Sequence, residues 1–158
     1  MLRTKLKSEG YGYQVVNASV SGETTAGGVA RLPRALSLHH PQIVIIELGG
    51  NDGLRALPIA QMRANLLQMA DLAAAAGAKV LLLGMRIPPN YGPEYTEQFR
   101  AAFTDVAQHD KVPVVPFLLE GIALTPDLVQ GDGIHPNELG QPILLANVWP
   151  TLKPLLKK

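Results

Sequence analysis

The chain has 158 residues, of which 47% are hydrophobic and 17% charged, and its formal net charge is +1 at pH 7. Since a chain of this length buries about 70% of its unfolded surface, we predict one domain over residues 1–158, and the balanced charge argues against a nucleic-acid partner. The chain has no cysteine for disulfides or thiolate metal sites, and no apolar run approaches the roughly 18 residues that a membrane span requires.

Helical and strand-like patterns alternate along the chain, as they do in α/β proteins. Segments rich in β-branched and aliphatic residues predict four strands, over residues 13–18, 42–48, 79–84 and 112–117. Amphipathic spacing predicts helices over residues 1–7, about 25–40, 59–76, 94–109 and about 143–155, with Pro33 kinking or dividing the second. The sequence therefore predicts an α/β fold around a mostly parallel sheet.

Three polar, glycine-rich loops are candidates for a functional site: residues 19–25, 49–53 and 131–137. In open α/β sheets, sites form at the carboxyl ends of the strands. The backbone N–H of Gly22 and the side-chain amide of Asn51 are suitable donors to an oxyanion that develops during acyl transfer. The first two loops therefore predict an oxyanion hole.

The third loop reads Gly131-Asp132-Gly133-Ile134-His135-Pro136-Asn137. An aspartate three residues ahead of a histidine can accept a hydrogen bond from one imidazole nitrogen, which fixes the tautomer and leaves the other nitrogen as a base. We therefore predict Asp132 and His135 as two members of a hydrolytic triad. None of the four serines stands in an evident nucleophile motif: Ser8, Ser19, Ser21 and Ser37.

Each of these residues also has a simpler interpretation. His135 before proline could be a polar surface residue, and Asn51 could cap the following helix or hold a turn. Asp52 is predicted to be a turn or supporting residue more than a catalytic acid, and Ser21 to bond its own loop backbone. A metal site of Asp132, His135 and Asp52 is chemically conceivable, but His-x-His and His-Glu-x-x-His spacings are absent, and we predict no metal and no cofactor.

With these motifs the chain resembles the SGNH/GDSL hydrolase family, in particular its bacterial thioesterase I, lysophospholipase and arylesterase branch. The resemblance extends over essentially the whole chain and is carried by residues 15–25, 48–55, 86–92 and 132–137. It implies a three-layer α/β sandwich around a flavodoxin-like sheet. It also implies that Gly22 and Asn51, in the second and third family blocks, are oxyanion donors, and that Asp132 and His135 form the fifth block.

The chain departs from the family at its first block, a Gly-Asp-Ser-Leu segment with the nucleophilic serine, which is absent here. The family's strand that ends in this block lies between the strands predicted over residues 13–18 and 42–48. Its loss would leave two buried ladders unpaired, so we expect Met1 to be an internal methionine and the chain to be a fragment or to have a misplaced start. A re-paired sheet and a strand from another chain are the alternatives.

The resemblance implies a serine hydrolase of small-molecule acyl esters and thioesters, including acyl-CoA, lysophospholipids and aryl esters, which is inactive without its nucleophile. The alternative is a non-catalytic acyl-binding remnant or interaction module. Leu54 and Ile87 are apolar loop residues that we predict to line the acyl site, although both could instead pack onto the helix over residues 59–73. The resemblance suggests a periplasmic or secreted protein, and the oligomeric state is left open.

Overall fold

The computed structural model describes residues 1–109 and 111–158, and residue 110 is part of a helix. It contains a three-stranded parallel sheet. The strands are β1 (Ile43–Ile46), β2 (Lys79–Leu83) and β3 (Val114–Val115), in the order β1-β2-β3. Ile43 pairs with Lys79, and Leu82 pairs with Val114. The α/β class and the parallel sheet predicted from the sequence are confirmed.

Six α-helices lie within the described residues: α1 (Leu2–Ser8), α2 (Thr25–His39), α3 (Gly50–Leu54), α4 (Ile59–Ala75), α5 (Pro93–Asp110) and α6 (Gln141–Leu152). Short 3₁₀ turns lie at Pro89–Tyr91, Pro126–Leu128 and Lys153–Leu155. Glycines at φ +79 and +80 follow the ends of α1 and α4, at Gly10 and Gly77. Within residues 1–109 and 111–158, no helix has the length and hydropathy needed to cross a bilayer.

The first of two compact units, Ala18–Pro116, contains the sheet and the helices α2 to α5. Helix α4 packs against both α2 and α5. The spacing of apolar residues along α4 predicted its buried face, and the structure confirms burial of Met62, Leu66, Met69 and Ala73. The central strand β2 is buried from Val80 to Leu83 because helices and neighbouring strands cover it.

The second unit consists of Met1–Asn17 and Phe117–Lys158, with α1 and α6 as its helices. Lys5 Nζ lies 5.1 Å from the ring centroid of Trp149, and Tyr11 meets the same ring edge-on at 6.3 Å. Its buried apolar residues are Leu6, Leu118, Ile122 and Leu152. The single domain predicted over residues 1–158 stays a prediction.

One predicted strand was wrong, and one of the two outcomes predicted for Pro33 did not occur. The strand over Tyr13–Ala18 is irregular in the structure, where Val16 is 53% exposed and the Val15 carbonyl accepts a hydrogen bond from Arg3 Nη2 at 2.8 Å. A strand needs a paired ladder, and β-branched composition alone does not supply one. Pro33 does not divide α2, which is a single helix from Thr25 to His39, because one missing N–H removes only one bond of its ladder. The kink that was predicted as the other outcome stays a prediction.

The outer predicted strands are shorter than expected. Residues 42–48 give β1 over four residues, and residues 112–117 give β3 over two. Hydrophobic runs extend past the paired positions, since side chains beyond the ladder, such as Leu48 and Val112, still pack on the core.

Candidate active site

The loop with Asp132 and His135 belongs to the second unit and is open to solvent. Nδ1 of His135 lies 2.7 Å from Oδ2 of Asp132, and the two side chains are 70% and 45% exposed. Oδ1 of Asp132 accepts hydrogen bonds from the backbone N–H groups of Ile134 at 2.9 Å and His135 at 3.0 Å. The hydrogen bond predicted from the i, i+3 spacing is confirmed, and the catalytic role of the pair stays a prediction.

These donors determine the ionisation of Asp132. The backbone N–H of Ile134, then the His135 side chain and the His135 N–H, lower the pKa of Asp132 to about 2. The carboxylate is therefore ionised at neutral pH and can act only as a hydrogen-bond acceptor. Nδ1 of His135 must then be the protonated nitrogen of the neutral ring, which leaves Nε2 with a free lone pair as a base.

Backbone pairing supports the C-terminal side of the loop. An isolated antiparallel bridge joins Val129 and Pro136. The N–H of Gln130 donates to the carbonyl of His135 at 2.7 Å. His135 is thus restrained on one side by this bridge and on the other by the carboxylate of Asp132.

Asn137, which the sequence analysis did not assign a role, fixes the end of this loop. Its Nδ2 donates to the carbonyls of Asp127 at 2.8 Å and Val129 at 3.2 Å. Its Oδ1 accepts hydrogen bonds from the N–H groups of Leu139 at 2.9 Å and Gly140 at 3.2 Å. The tendency of asparagine to bond backbone groups a few residues away is the sequence signal that could have identified it.

A depression of about 450 Å³ borders the same loop, lined by Leu124, Pro126, Val129, Gln130, Gly131 and Gly133. Leu124 has a φ of +69° and is 99% exposed. No sequence pattern predicts this depression, because its residues are separated by turns with no periodic pattern.

Gly22 and Asn51, the candidate oxyanion donors, belong to the first unit. Gly22 lies in a loop, whereas Asn51 lies in helix α3, which occupies most of the loop predicted over residues 49–53, and the two segments are tied together. Nδ2 of Asn51 donates to the carbonyl of Glu23 at 3.0 Å, and Nη2 of Arg55 donates to the carbonyl of Gly22 at 3.0 Å. Helix α3 has Gly49 as its N-cap, with no side-chain cap bond, so Asn51 does not cap this helix. An amide nitrogen has two hydrogens, so the bond to Glu23 leaves Asn51 able to donate a second one.

Asp52 follows Asn51 and is buried, with 3% of its surface exposed. Its Oδ2 accepts the N–H of Thr25 at 2.9 Å, and its Oδ1 accepts the Thr25 hydroxyl at 2.6 Å. Nδ2 of Asn65 donates to the same hydroxyl oxygen at 2.9 Å. These bonds favour the turn or supporting role predicted for Asp52, and that role stays a prediction.

The two predicted pocket residues differ in their surroundings. Ile87 is partly buried and packs against the core cluster of the first unit, which favours the packing interpretation. Leu54 is also partly buried, and its carbonyl accepts a hydrogen bond from the hydroxyl of Tyr91 at 2.7 Å. The role of Leu54 in substrate binding stays a prediction.

Across residues 1–109 and 111–158, no group of three or more histidine, cysteine, aspartate or glutamate side chains has an arrangement suited to a metal ion. The carboxylate of Asp132 is instead engaged with His135 and the adjacent backbone.

Similarity to known proteins extends over the whole chain. The GDSL-like lipase/acylhydrolase family matches residues 1–143. The chain is 56% identical to the esterase TesA of Pseudomonas aeruginosa over 156 residues, which cover 99% of this chain and 78% of that protein. It is 44% identical to the thioesterase 1/protease 1/lysophospholipase L1 of Escherichia coli K12 over 142 residues, which cover 90% of this chain and 68% of that protein.

The fold is also that of solved structures. A crystal structure of TesA is 57% identical and superposes with a TM-score of 0.95 over 98% of this chain and 86% of that one. This likeness confirms the predicted SGNH-hydrolase type of α/β fold. The chain belongs to the GDSL-like lipase/acylhydrolase family and is, by family, a carboxylic-ester hydrolase.

Proposed function

We propose that this chain supplies the general base and the oxyanion donors for hydrolysis of small-molecule acyl esters and thioesters by a serine nucleophile. The observation that carries the proposal is the 2.7 Å contact between His135 Nδ1 and an Asp132 carboxylate with a pKa of about 2. The names of the relatives, esterase and thioesterase 1/protease 1/lysophospholipase L1, support this substrate class.

The proposed reaction has two acyl-transfer steps. Nε2 of His135 accepts the proton of the serine hydroxyl as its oxygen attacks the acyl carbon, while Asp132 holds the resulting imidazolium. The N–H of Gly22 and the amide of Asn51 donate to the oxyanion. His135 then protonates the leaving alcohol or thiol. Water attacks the acyl-enzyme by the same route, giving up its proton to His135, and the acid leaves as the serine regains its hydrogen.

The serines of residues 1–158 are unsuited to the nucleophilic role. The hydroxyl of Ser8 donates to the carbonyl of Lys5, and that of Ser37 donates to the carbonyl of Arg34. Ser19 and Ser21 lie in an exposed loop outside any Gly-Asp-Ser segment. We therefore expect residues 1–158 alone to hydrolyse p-nitrophenyl esters at a negligible rate, because the base has no hydroxyl to activate.

Addition of a nucleophile tests the proposal. The fused chain, defined as residues 1–158 preceded by a hydrophobic strand ending in Gly-Asp-Ser-Leu, should gain esterase activity by orders of magnitude. A second fusion with Gly-Asp-Ala-Leu is the matched control and should stay inactive, as should the fused chain with His135→Ala. Robust hydrolysis by residues 1–158 that Ser21→Ala abolishes would contradict the proposal.

The missing motif also leaves a second candidate function. A chain without a nucleophile could retain an acyl-binding surface and act as a binding or interaction module. In that case residues 1–158 should bind a lysophospholipid or acyl-CoA in calorimetry, while the fused chain stays as inactive as its alanine control.

A further inference from the structure

A largely buried polar network joins helix α3, which holds Asn51, to the beginning of α2, which follows the loop of Gly22. It runs from Gln61 through Asn65 and Thr25 to Asp52, with successive donor–acceptor distances of 2.9, 2.9 and 2.6 Å. Thr25 is fully buried and Asp52 is 3% exposed. A buried carboxylate is costly unless it is hydrogen-bonded, so this network constrains the relative placement of its members.

Asp52 acts at the beginning of α2. Thr25 is the first residue of that helix, and its N–H, one of the donors that the helix itself cannot satisfy, donates to Oδ2 of Asp52 at 2.9 Å. A negative charge is also favoured at a helix N-terminus. Asp52 therefore fixes the position at which α2 begins, and with it the preceding residues 22–24.

Two further bonds join the segment of α3 to the loop that precedes α2. Asn51 donates to the carbonyl of Glu23, and Arg55 donates to the carbonyl of Gly22, each at 3.0 Å. The Arg55 bond is exposed and the Asn51 bond only partly buried, whereas both bonds between Asp52 and Thr25 are buried. Water competes least with the two buried bonds between Asp52 and Thr25. This connection is therefore more rigid than the bonds of Asn51 and Arg55.

We propose that Asp52 is a positioning residue, which sets the spacing of the Gly22 N–H and the Asn51 amide through its two hydrogen bonds to Thr25. The proposal rests on the proposed function in one respect, that Gly22 and Asn51 are the oxyanion donors. It differs from a purely structural role, in which loss of the network lowers stability and leaves the geometry of the loops unchanged.

The test measures amide hydrogen exchange in residues 1–158 by NMR. Each variant is observed at an amide in the segment that does not contain the substitution. Thr25→Val removes the hydroxyl, and the side-chain amide of Asn51 should then exchange about tenfold faster or more. Asp52→Asn places a donor against the Thr25 N–H, and the N–H of Glu23, which donates to the carbonyl of Val20 at 3.3 Å, should show the same acceleration. Thr25→Ser keeps both bonds and should restore the wild-type rates.

Val106→Ala is the matched control for stability, since Val106 is 1% exposed on α5 and takes no part in the network. Compared at temperatures equally far below each melting point, it should leave both amides at their wild-type exchange rates. Unchanged exchange in Thr25→Val and Asp52→Asn, or equal acceleration in Val106→Ala, would overturn the positioning role.

Kinetics of the fused chain separate this proposal from the proposed function. Asp52→Asn should lower kcat by about 10- to 100-fold with little change in KM, as expected when catalytic groups are misplaced. A fused chain that is active but keeps its kcat in Asp52→Asn contradicts the positioning role. An inactive fused chain contradicts the proposed function, and the exchange rates then decide the positioning role by themselves.

Discussion

The two compact units hold a carboxylate in opposite environments. In Ala18–Pro116, Asp52 is 3% exposed and bonds Thr25, which is distant in sequence. In the other unit, the Asp132 side chain is 45% exposed and forms hydrogen bonds with residues 134 and 135. The comparison shows two ways to fix a polar group, by burial across elements and by a tight local turn. We expect the first to matter most for stability and the second for chemistry.

The largest expected effect is that of Asp132→Asn on the fused chain. An amide in place of the carboxylate favours the wrong imidazole tautomer, so kcat should fall by about 10⁴-fold, the magnitude seen in serine protease triads. The melting point should change little, because water can solvate the exposed turn. The measurement is kcat of the fused chain and of its Asp132→Asn variant, by steady-state kinetics with and without EDTA. A loss below tenfold indicates a turn residue only, and inactivation by EDTA with rescue by Zn²⁺ indicates a metal role.

The next effect is that of Asn51→Ala. Removal of one oxyanion donor should lower kcat of the fused chain by about 10²–10³, equivalent to about 2.7–4 kcal/mol, while KM changes little. If Asn51 only joins α3 to Glu23, the free energy of unfolding should fall by about 1 kcal/mol and kcat should stay near the starting value. Parallel kinetics and thermal melts distinguish the two outcomes.

For the free energy of unfolding, we expect the order of the two aspartates to be reversed, with the larger loss at Asp52 and the smaller at Asp132. Asp52→Ala leaves the buried N–H and hydroxyl of Thr25 without acceptors, so the free energy of unfolding should fall by about 3 kcal/mol. Asp132→Ala should leave the urea midpoint close to that of the wild type. Urea denaturation of residues 1–158, followed by circular dichroism, tests this ranking. Similar losses in the two variants would remove the distinction between the units.

Leu54 and Ile87 offer a second comparison, between a residue predicted to contact the acyl chain and a residue that packs on the core. In the fused chain, Leu54→Ala should weaken kcat/KM for long-acyl substrates more than for acetyl esters, by about 1–3 kcal/mol. Ile87→Ala is the comparison variant, and its losses should be equal for all chain lengths and follow its melting point, because Ile87 packs on the core. Uniform losses for Leu54→Ala would show that it too is a packing residue.

The smallest effect concerns acid pH. The folded-state pKa of Asp132 is about 2, below its ordinary value of 3.8. The small contribution that this exposed carboxylate makes to stability is therefore present above about pH 3.8 and is lost as pH falls towards 2. His135→Leu removes the second-largest cause of the shift. Carboxyl ¹³C NMR should then give a midpoint above 2 but still below 3.8, since the Ile134 N–H remains. A midpoint that stays at about 2 would show that His135 contributes nothing.

The sequence predicted those features that depend on short separations. The Asp132–His135 bond spans three residues, and the buried face of α4 follows from helical periodicity. The bonds of Thr25 to Asp52 and Asn65 span 27 and 40 residues, and no local pattern encodes them. The prediction of a strand over Tyr13–Ala18 was wrong for the same reason, because a strand needs a partner strand from elsewhere in the sequence.

The central claim is that Asp132 and His135 act as one catalytic unit, and a double-mutant cycle tests it most directly. The cycle compares kcat of the fused chain with Asp132→Asn, with His135→Ala and with both substitutions. Groups that act as a unit are strongly non-additive, so the double variant should lose no more activity than His135→Ala alone. A loss equal to the product of the two single losses would show that the residues act independently and would contradict the account.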